Sequence, residues 1–473
     1  MRKYRVGLLT FSDGRHYLHE RHYELNKRYQ SRIARELAQT GIVDVVEGET
    51  IIGDPVAAGN EGRRMREAAV DMTIFNYAIW CYPHLSAIAA GFAPGPLLLF
   101  CNLHPSEPGM VAMLASAGTM DQLGHKYKRI WGDISERAVL EQVLSCIRAS
   151  CAVSMLRGLT FGTFGGRPLG MYTAVANLDQ WQSLFGIDIE YCEQWDIMRY
   201  ADEVDPLRVS NATRWLEQHV GAIEYDDDAL TPAKLNTAIR SYYALRRLIE
   251  ERHLDFIGIK AHGDLTDHFV TMDLAEAFLN DPYDWDGPHE PIVAATESDM
   301  DGALTMQLFK HLTRAEPVLF ADVRHYDSQE RVWYLSNSGT HATFFAGASK
   351  DPAVNLRNVT FYPEITDFPA GGPSVHHFAA PGQVTLARLA RKSGRYWMAI
   401  VRGEFVEFPR EKAIAMGNTV TPPWPIAFTR LDCEPDLFLT RFPCNHIHGV
   451  YGDYVDELEQ VGSILGIETV VLR

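Results

Sequence analysis

Short apolar runs alternate with stretches of helical apolar spacing through the first two thirds of the chain, and few folds accommodate that alternation. Residues 4–9 (YRVGLL), 43–46, 72–80, 96–103 and 255–260 read as strands. Between them, residues 22–39 repeat apolar positions at helical intervals and stop at Gly41, and residues 136–156 form a long amphipathic stretch ending at Gly158. Strands that alternate with helices pair in parallel and are covered on both faces, so the pattern predicts Rossmann-like α/β architecture.

The long helix gives way near residue 155 to GLTFGTFGGRPLGM, where a second α/β run begins, with a helix at 232–252 and strands at 256–260 and 291–296. The GG-x-x-x-G in this segment reads either as a sharp strand-to-helix turn or as the lining of a ligand cleft. Beyond about residue 313 the texture changes: VLFADVRHYD, RVWYLSNSG, NVTFYPEIT, QVTLARLA, YWMAIVRGEFVEF and PWPIAFTRL are β-rich segments separated by Gly, Pro and Asn. A helix at 454–465 and a strand at 468–472 follow. The expected organisation is an α/β domain over 1–155, a second over 156–312, and a β-rich, barrel-like domain over 313–473.

Composition narrows the function. Lys and Arg number 44 against 61 Asp and Glu, a formal charge of −17, and no basic block interrupts it. Binding to a phosphate backbone requires the reverse balance, so nucleic acid is not an expected partner. Seven cysteines with no C-x2-C pair argue against a disulfide framework or a structural zinc site and favour reduced, cytoplasmic thiols. The apolar run after MRKYR is too short for a secretory signal, and no window approaches the ~20 apolar residues a membrane span needs.

Three segments carry chemistry. In PIVAATESDMDGALTMQLF, Glu297 follows an apolar strand, where open α/β sheets place their ligand sites; helix capping is the alternative for a carboxylate there, and the expected role of Asp299 and Asp301. Asp322 in VLFADVRHYD also ends an apolar strand, with Arg324 on the same face as its possible ion-pair partner. In PCNHIHGVYGDY, His446 and His448 share one side of a strand, and spacing does not choose between them. A glutamate, an aspartate and a histidine from separate segments would form an open, oxygen-rich cation site, suited to Mn²⁺ or Mg²⁺.

The run from Ala275 to Tyr326, AEAFLNDPYDWDGPHEPIVAATESDMDGALTMQLFKHLTRAEPVLFADVRHY, resembles the central block of the L-fucose isomerase family. SNSGT, the PWP around Trp424, the CNH ending at His446 and the opening SDGRHYLHERHYE continue that resemblance in order. It implies an aldose–ketose isomerase acting on a small-molecule sugar through a cis-enediol, with Glu297, Asp322 and His446 holding Mn²⁺ (or Mg²⁺ or Co²⁺). Glu297 and Asp322 would also form the acid/base pair, and His448 would be structural or would support the ligands from behind. Arg15, Ser338, Trp424 and Asn445 fall where that family contacts the sugar. The resemblance further implies a homo-oligomer, a hexamer or trimer, and relatives with a longer C-terminal extension.

Lys260, in GIKAHGDLTDH, stands where the fucose enzymes carry a glutamine. It reads either as the partner of Asp264 or Asp267, or as a contact for an anionic sugar of sulfo or uronate type, such as sulfoquinovose, assisted by Arg15, His262, His376 or His377. A non-catalytic sugar-binding protein is the expectation from another class, discriminated by the absence of ketose product.

Overall fold

The opening apolar run forms β1 (Tyr4–Phe11), the second strand of a parallel sheet completed by β2 (Val43–Glu47), β3 (Met72–Tyr77), β4 (Leu97–Cys101) and β5 (Tyr127–Trp131) in the order β2-β1-β3-β4-β5. Successive strand residues point to opposite faces, so two cores form. Val6, Leu8, Ile74 and Phe100 pack with Leu37 and Ile147, and Leu9, Phe11, Phe75 and Leu99 pack with Met65, Leu85 and Met113. Each such fully buried side chain contributes about 1.5–3 kcal/mol relative to exposure. β5 carries Lys128 and Arg129 and buries only Ile130, so no apolar run marks it in the sequence.

The computed structural model describes residues 2–339, 341–365, 367–419 and 423–473. Its contacts divide it into two units, Met1–Met155 with Asp456–Gly466, and Leu156–Val455 with Ile467–Arg473. The segments expected as a second α/β domain and as a β-rich domain thus fall in one unit, apart from the helical stretch Asp456–Gly466.

The second unit contains two principal sheets. β6 (Thr160–Phe164), β7 (Asp188–Cys192), β8 (Phe256–Ile259) and β9 (Ala294–Thr296) form a parallel sheet in the order β9-β8-β6-β7. The glycine-rich segment after β6 is not a strand-to-helix turn, because the next helix begins only at Leu178. Gly165 adopts φ +89° there, and a Cβ on it would lie 2.9 Å from the Lys260 stem.

NVTFYPEIT supplies the strand Thr360–Pro363 of a separate three-stranded sheet, between Pro373–His376 and Ala222–Ile223. The other β-rich segments and the last two strands form β10 (Leu319–Asp327), β11 (Val332–Ser336), β12 (Gly382–Lys392), β13 (Arg395–Phe405), β14 (Ile426–Leu431), β15 (His446–Tyr451) and β16 (Glu468–Leu472). They run as one seven-stranded sheet, β12-β15-β10-β11-β14-β13-β16, in which β12 also pairs with β13. The register sets Asp322 opposite His446 on one neighbour and Ser336 on the other. A bulge follows Val323, leaving Arg324 as the extra residue. Among the described residues no helix is long and apolar enough to cross a membrane, and all seven cysteines are free.

Candidate active site

Glu297 is presented by a strained turn. Directly after β9, Glu297 and Ser298 adopt φ +54° and +45°, a region that side-chain-bearing residues visit at a cost of order 1–3 kcal/mol each. The turn is over-determined: Ser298 N–H donates to the Ile259 carbonyl at 2.9 Å, and its hydroxyl bonds Thr163 at 2.6 Å. Gly258 leaves the room, since a Cβ on it would lie 3.0 Å from Ser298 Cα. The chain then reverses into the helix Met300–Thr313, and the Asp299 carboxylate caps it by accepting from Gly302 N–H at 3.0 Å.

His446, at the start of β15, is fully buried. Its Nδ1 lies 2.6 Å from Asp299 Oδ2. Its Nε2 faces Glu297 Oε2 at 2.8 Å and Asp322 Oδ1 at 3.5 Å, yet makes no aligned hydrogen bond. Asp322 is held from both sides, with Oδ1 accepting from the Asn445 amide and Oδ2 from the Asn337 amide, each at 2.9 Å. His262 Nε2 approaches the other Glu297 oxygen at 3.3 Å.

Burial works to raise the pKa of Glu297, but the neighbouring His262 and His446 outweigh it and hold the carboxyl down at about 2. Asp322 moves the other way, pushed up by burial and by Glu297 against the pull of His446 and two amides. Asp299 is buried as well, and the Arg388 guanidinium with His446 keeps it far below the usual carboxylate range. Burial and neighbours thus shift the two carboxylates in opposite directions.

The donor set fits a divalent cation in type: two carboxylates and an imidazole nitrogen that is buried, unbonded and turned toward them. It is not a ready-made cage, and among the described residues no three His, Cys, Asp or Glu side chains already surround a common point.

The remaining expected residues divide. Asn445 joins the site through Asp322, and buried Ser338 follows Asn337 in the loop after β11; Thr340, which ends that SNSGT run, lies outside the described residues. Trp424 is buried, with its indole N–H donating to Glu364 at 2.5 Å. Lys260 Nζ stands 3.9 Å from Asp264, which is also held by Gln194 at 2.6 Å. Arg15, in the first unit, pairs with Asp13 at 2.6 Å.

Several expectations are corrected. Arg324 does not pair with Asp322: the bulge turns it so that its guanidinium lies 5.1 Å from the Trp424 ring centroid. Asp301 does not cap; it accepts from Tyr396 at 2.6 Å and Arg391 at 2.9 Å. His377 is fully buried, so it is not a free anion contact, and His376 bonds the Trp424 carbonyl through Nδ1 at 2.9 Å. Sequence reasoning missed Asn337, the bond from His446 to Asp299, and Arg388. A lone arginine inside the apolar run QVTLARLA was the available signal, since a charge on a buried strand requires a partner.

Two carboxylates and an imidazole thus gather beside the Asn337 and Asn445 amides. Comparison with known proteins assigns the class. The first N-terminal, second N-terminal and C-terminal domains of L-fucose isomerase match residues 3–158, 252–314 and 335–473. The L-fucose isomerase of Haemophilus influenzae strain PittEE is 24% identical over 549 aligned positions, covering 98% of this chain and 91% of that protein. Those of Bacteroides thetaiotaomicron and Vibrio vulnificus are 24% and 23% identical, covering 99% and 98% of this chain and 93% and 92% of theirs. The chain is an enzyme of the aldose–ketose isomerase type, an intramolecular oxidoreductase. It belongs to the L-fucose isomerase family. An alignment of 549 positions against 473 residues places gaps inside the aligned span, so the shorter length is not solely the terminal difference expected from the resemblance.

Proposed function

We propose that the chain interconverts an open-chain aldose, L-fucose or D-arabinose in type, and its ketose through a cis-enediol, with a divalent cation at Glu297, Asp322 and His446. The observation that carries this reading is the convergence of Glu297 Oε2 and Asp322 Oδ1 on the unbonded His446 Nε2. A divalent cation held there, Mn²⁺ with Mg²⁺ or Co²⁺ as alternatives, would supply positive charge to offset the negative charge that develops on the sugar.

The chain's own groups do the rest. One of the two carboxylates takes the C2 proton and returns it to C1, and the other carries a proton between O1 and O2. The Asn337 and Asn445 amides hold the Asp322 carboxylate in one orientation while it exchanges protons. The strained turn fixes Glu297 so that it needs no reorganisation on reaching the sugar. Arg15, Lys260, Ser338, Trp424 and Asn445 are proposed as sugar contacts. Lys260 leaves an anionic sugar as the second reading, favoured by its ammonium being 3.9 Å, rather than a tight ion-pair distance, from Asp264.

Incubating the metal-stripped chain with and without Mn²⁺ against neutral, sulfo and uronate aldoses tests both readings. Ketose formed from a neutral aldose only when Mn²⁺ is present is the expected outcome. No ketose from any sugar refutes the proposal, and turnover confined to anionic sugars selects the second reading.

A further inference from the structure

His446 and His448 alternate onto the same face of β15, both are fully buried, and the Phe320 ring packs against both at 4.7 and 4.8 Å between centroids. Neither spacing nor burial distinguishes them. Their hydrogen bonds do, and those lead to one side chain.

Arg388 lies in the middle of β12 with its side chain 1% exposed. Its Nη1 donates to Asp299 Oδ2 and to His448 Nε2, the latter at 3.0 Å; its Nη2 donates to Asp299 Oδ1 at 2.9 Å and to the Thr173 carbonyl at 3.0 Å. All four Nη hydrogens are thereby used. A guanidinium has no acceptor, so His448 Nε2 must be the accepting nitrogen and its lone pair is occupied. The His448 proton then sits on Nδ1, which has no partner. On the other side, Asp299 already accepts two guanidinium hydrogens and the Gly302 N–H. An oxygen so engaged remains an acceptor, so the 2.6 Å contact to His446 is donated by Nδ1, and Nε2 is the nitrogen turned toward Glu297 and Asp322.

We propose that Arg388 is a positioning residue that selects His446 over His448 as the cation ligand, by occupying the Nε2 lone pair of His448 and, through Asp299, directing Nε2 of His446 toward Glu297 and Asp322. This rests on the ligand trio proposed above. Arg388 touches neither substrate nor reacting atoms; it acts at two removes, by fixing which ring nitrogen of each histidine carries a proton. A purely structural arginine would stabilise the strand without controlling either ring.

The test uses the full chain labelled with ¹⁵N-histidine, in Arg388→Met, Arg388→Lys and Asp299→Asn. In the wild type with diamagnetic Mg²⁺ bound, ring nitrogen shifts should report Nδ1 protonated and Nε2 unprotonated on both histidines. Mn²⁺ titrated calorimetrically into Arg388→Met and Asp299→Asn should bind about 10- to 100-fold more weakly, with His446 no longer confined to one tautomer. Arg388→Lys, which keeps the charge but lacks the fork, should fall between them and the wild type. Should Arg388→Met fail to fold, Asp299→Asn and Arg388→Lys still decide the matter. Wild-type tautomers and Mn²⁺ affinity in every folded variant would overturn the part assigned to Arg388 and leave the trio standing. A wild-type chain that binds no Mn²⁺ would refute both.

Discussion

Replacing His377 with phenylalanine should make the protein less sensitive to acid. The imidazole is fully buried, its Nδ1 meets the Val375 carbonyl at 3.2 Å, and its Nε2 has no partner. Burial, assisted by neighbouring His376, pushes its pKa from 6.5 down to about 3. Because the folded pKa lies below the unfolded one, the unfolded chain binds the proton first. The stabilisation is complete above the unfolded value of 6.5 and is lost as pH falls toward 3. At ~1.4 kcal/mol per unit, acidification from pH 7 to about 5 removes about 2 kcal/mol through this residue alone. His377→Phe lacks the titrating group, so its unfolding free energy should fall about 2 kcal/mol less than the wild type's across that interval, a difference of about 2 °C in Tm. Urea unfolding of both proteins at each pH measures it. Parallel losses in the two proteins would mean that the ring is protonated in the fold, and would reopen its role as an anion contact.

Glu297→Gln should lower isomerisation by at least about 10²-fold while circular dichroism and Tm stay near wild type, because it removes a proton carrier and a ligand charge together; retained activity would place the centre elsewhere. Gly339→Ala would set a Cβ 2.2 Å from Glu276 Oε2 beside Ser338, and should cost about 1–3 kcal/mol of stability and lower kcat/KM; normal values of both would show that the loop yields freely. Lys260→Gln should raise KM for the accepted sugar with kcat little changed; no change in either would limit Lys260 to its contact with Asp264.

Much of this was legible in the residues. The apolar runs located β1, β3, β4 and β8, and the change of texture after residue 313 announced the antiparallel sheet, because burial demands those patterns. β5 was invisible because an edge strand that buries one side chain needs no apolar run. Glu297, Asp322 and His446 could be named because strand ends are where α/β folds collect ligands and because a family motif ran through them. Arg324 was misplaced because a single bulge reverses the alternation that strand arguments rest on. The bonds that orient His446 and His448 join them to residues 147 and 60 positions away, at Asp299 and Arg388 respectively, and no local pattern reports a separation of that kind.

The most direct test follows the reaction in D₂O by ¹H NMR, with Mn²⁺ present and an L-fucose or D-arabinose substrate. A carboxylate that carries the C2 proton to C1 exchanges it with solvent, so the ketose should acquire deuterium at C1 in the wild type, and no ketose should form with Glu297→Gln. Ketose formed at the normal rate with C1 wholly protiated would mean that hydrogen passes directly between the carbons, and would contradict the assignment of Glu297 and Asp322 as proton carriers.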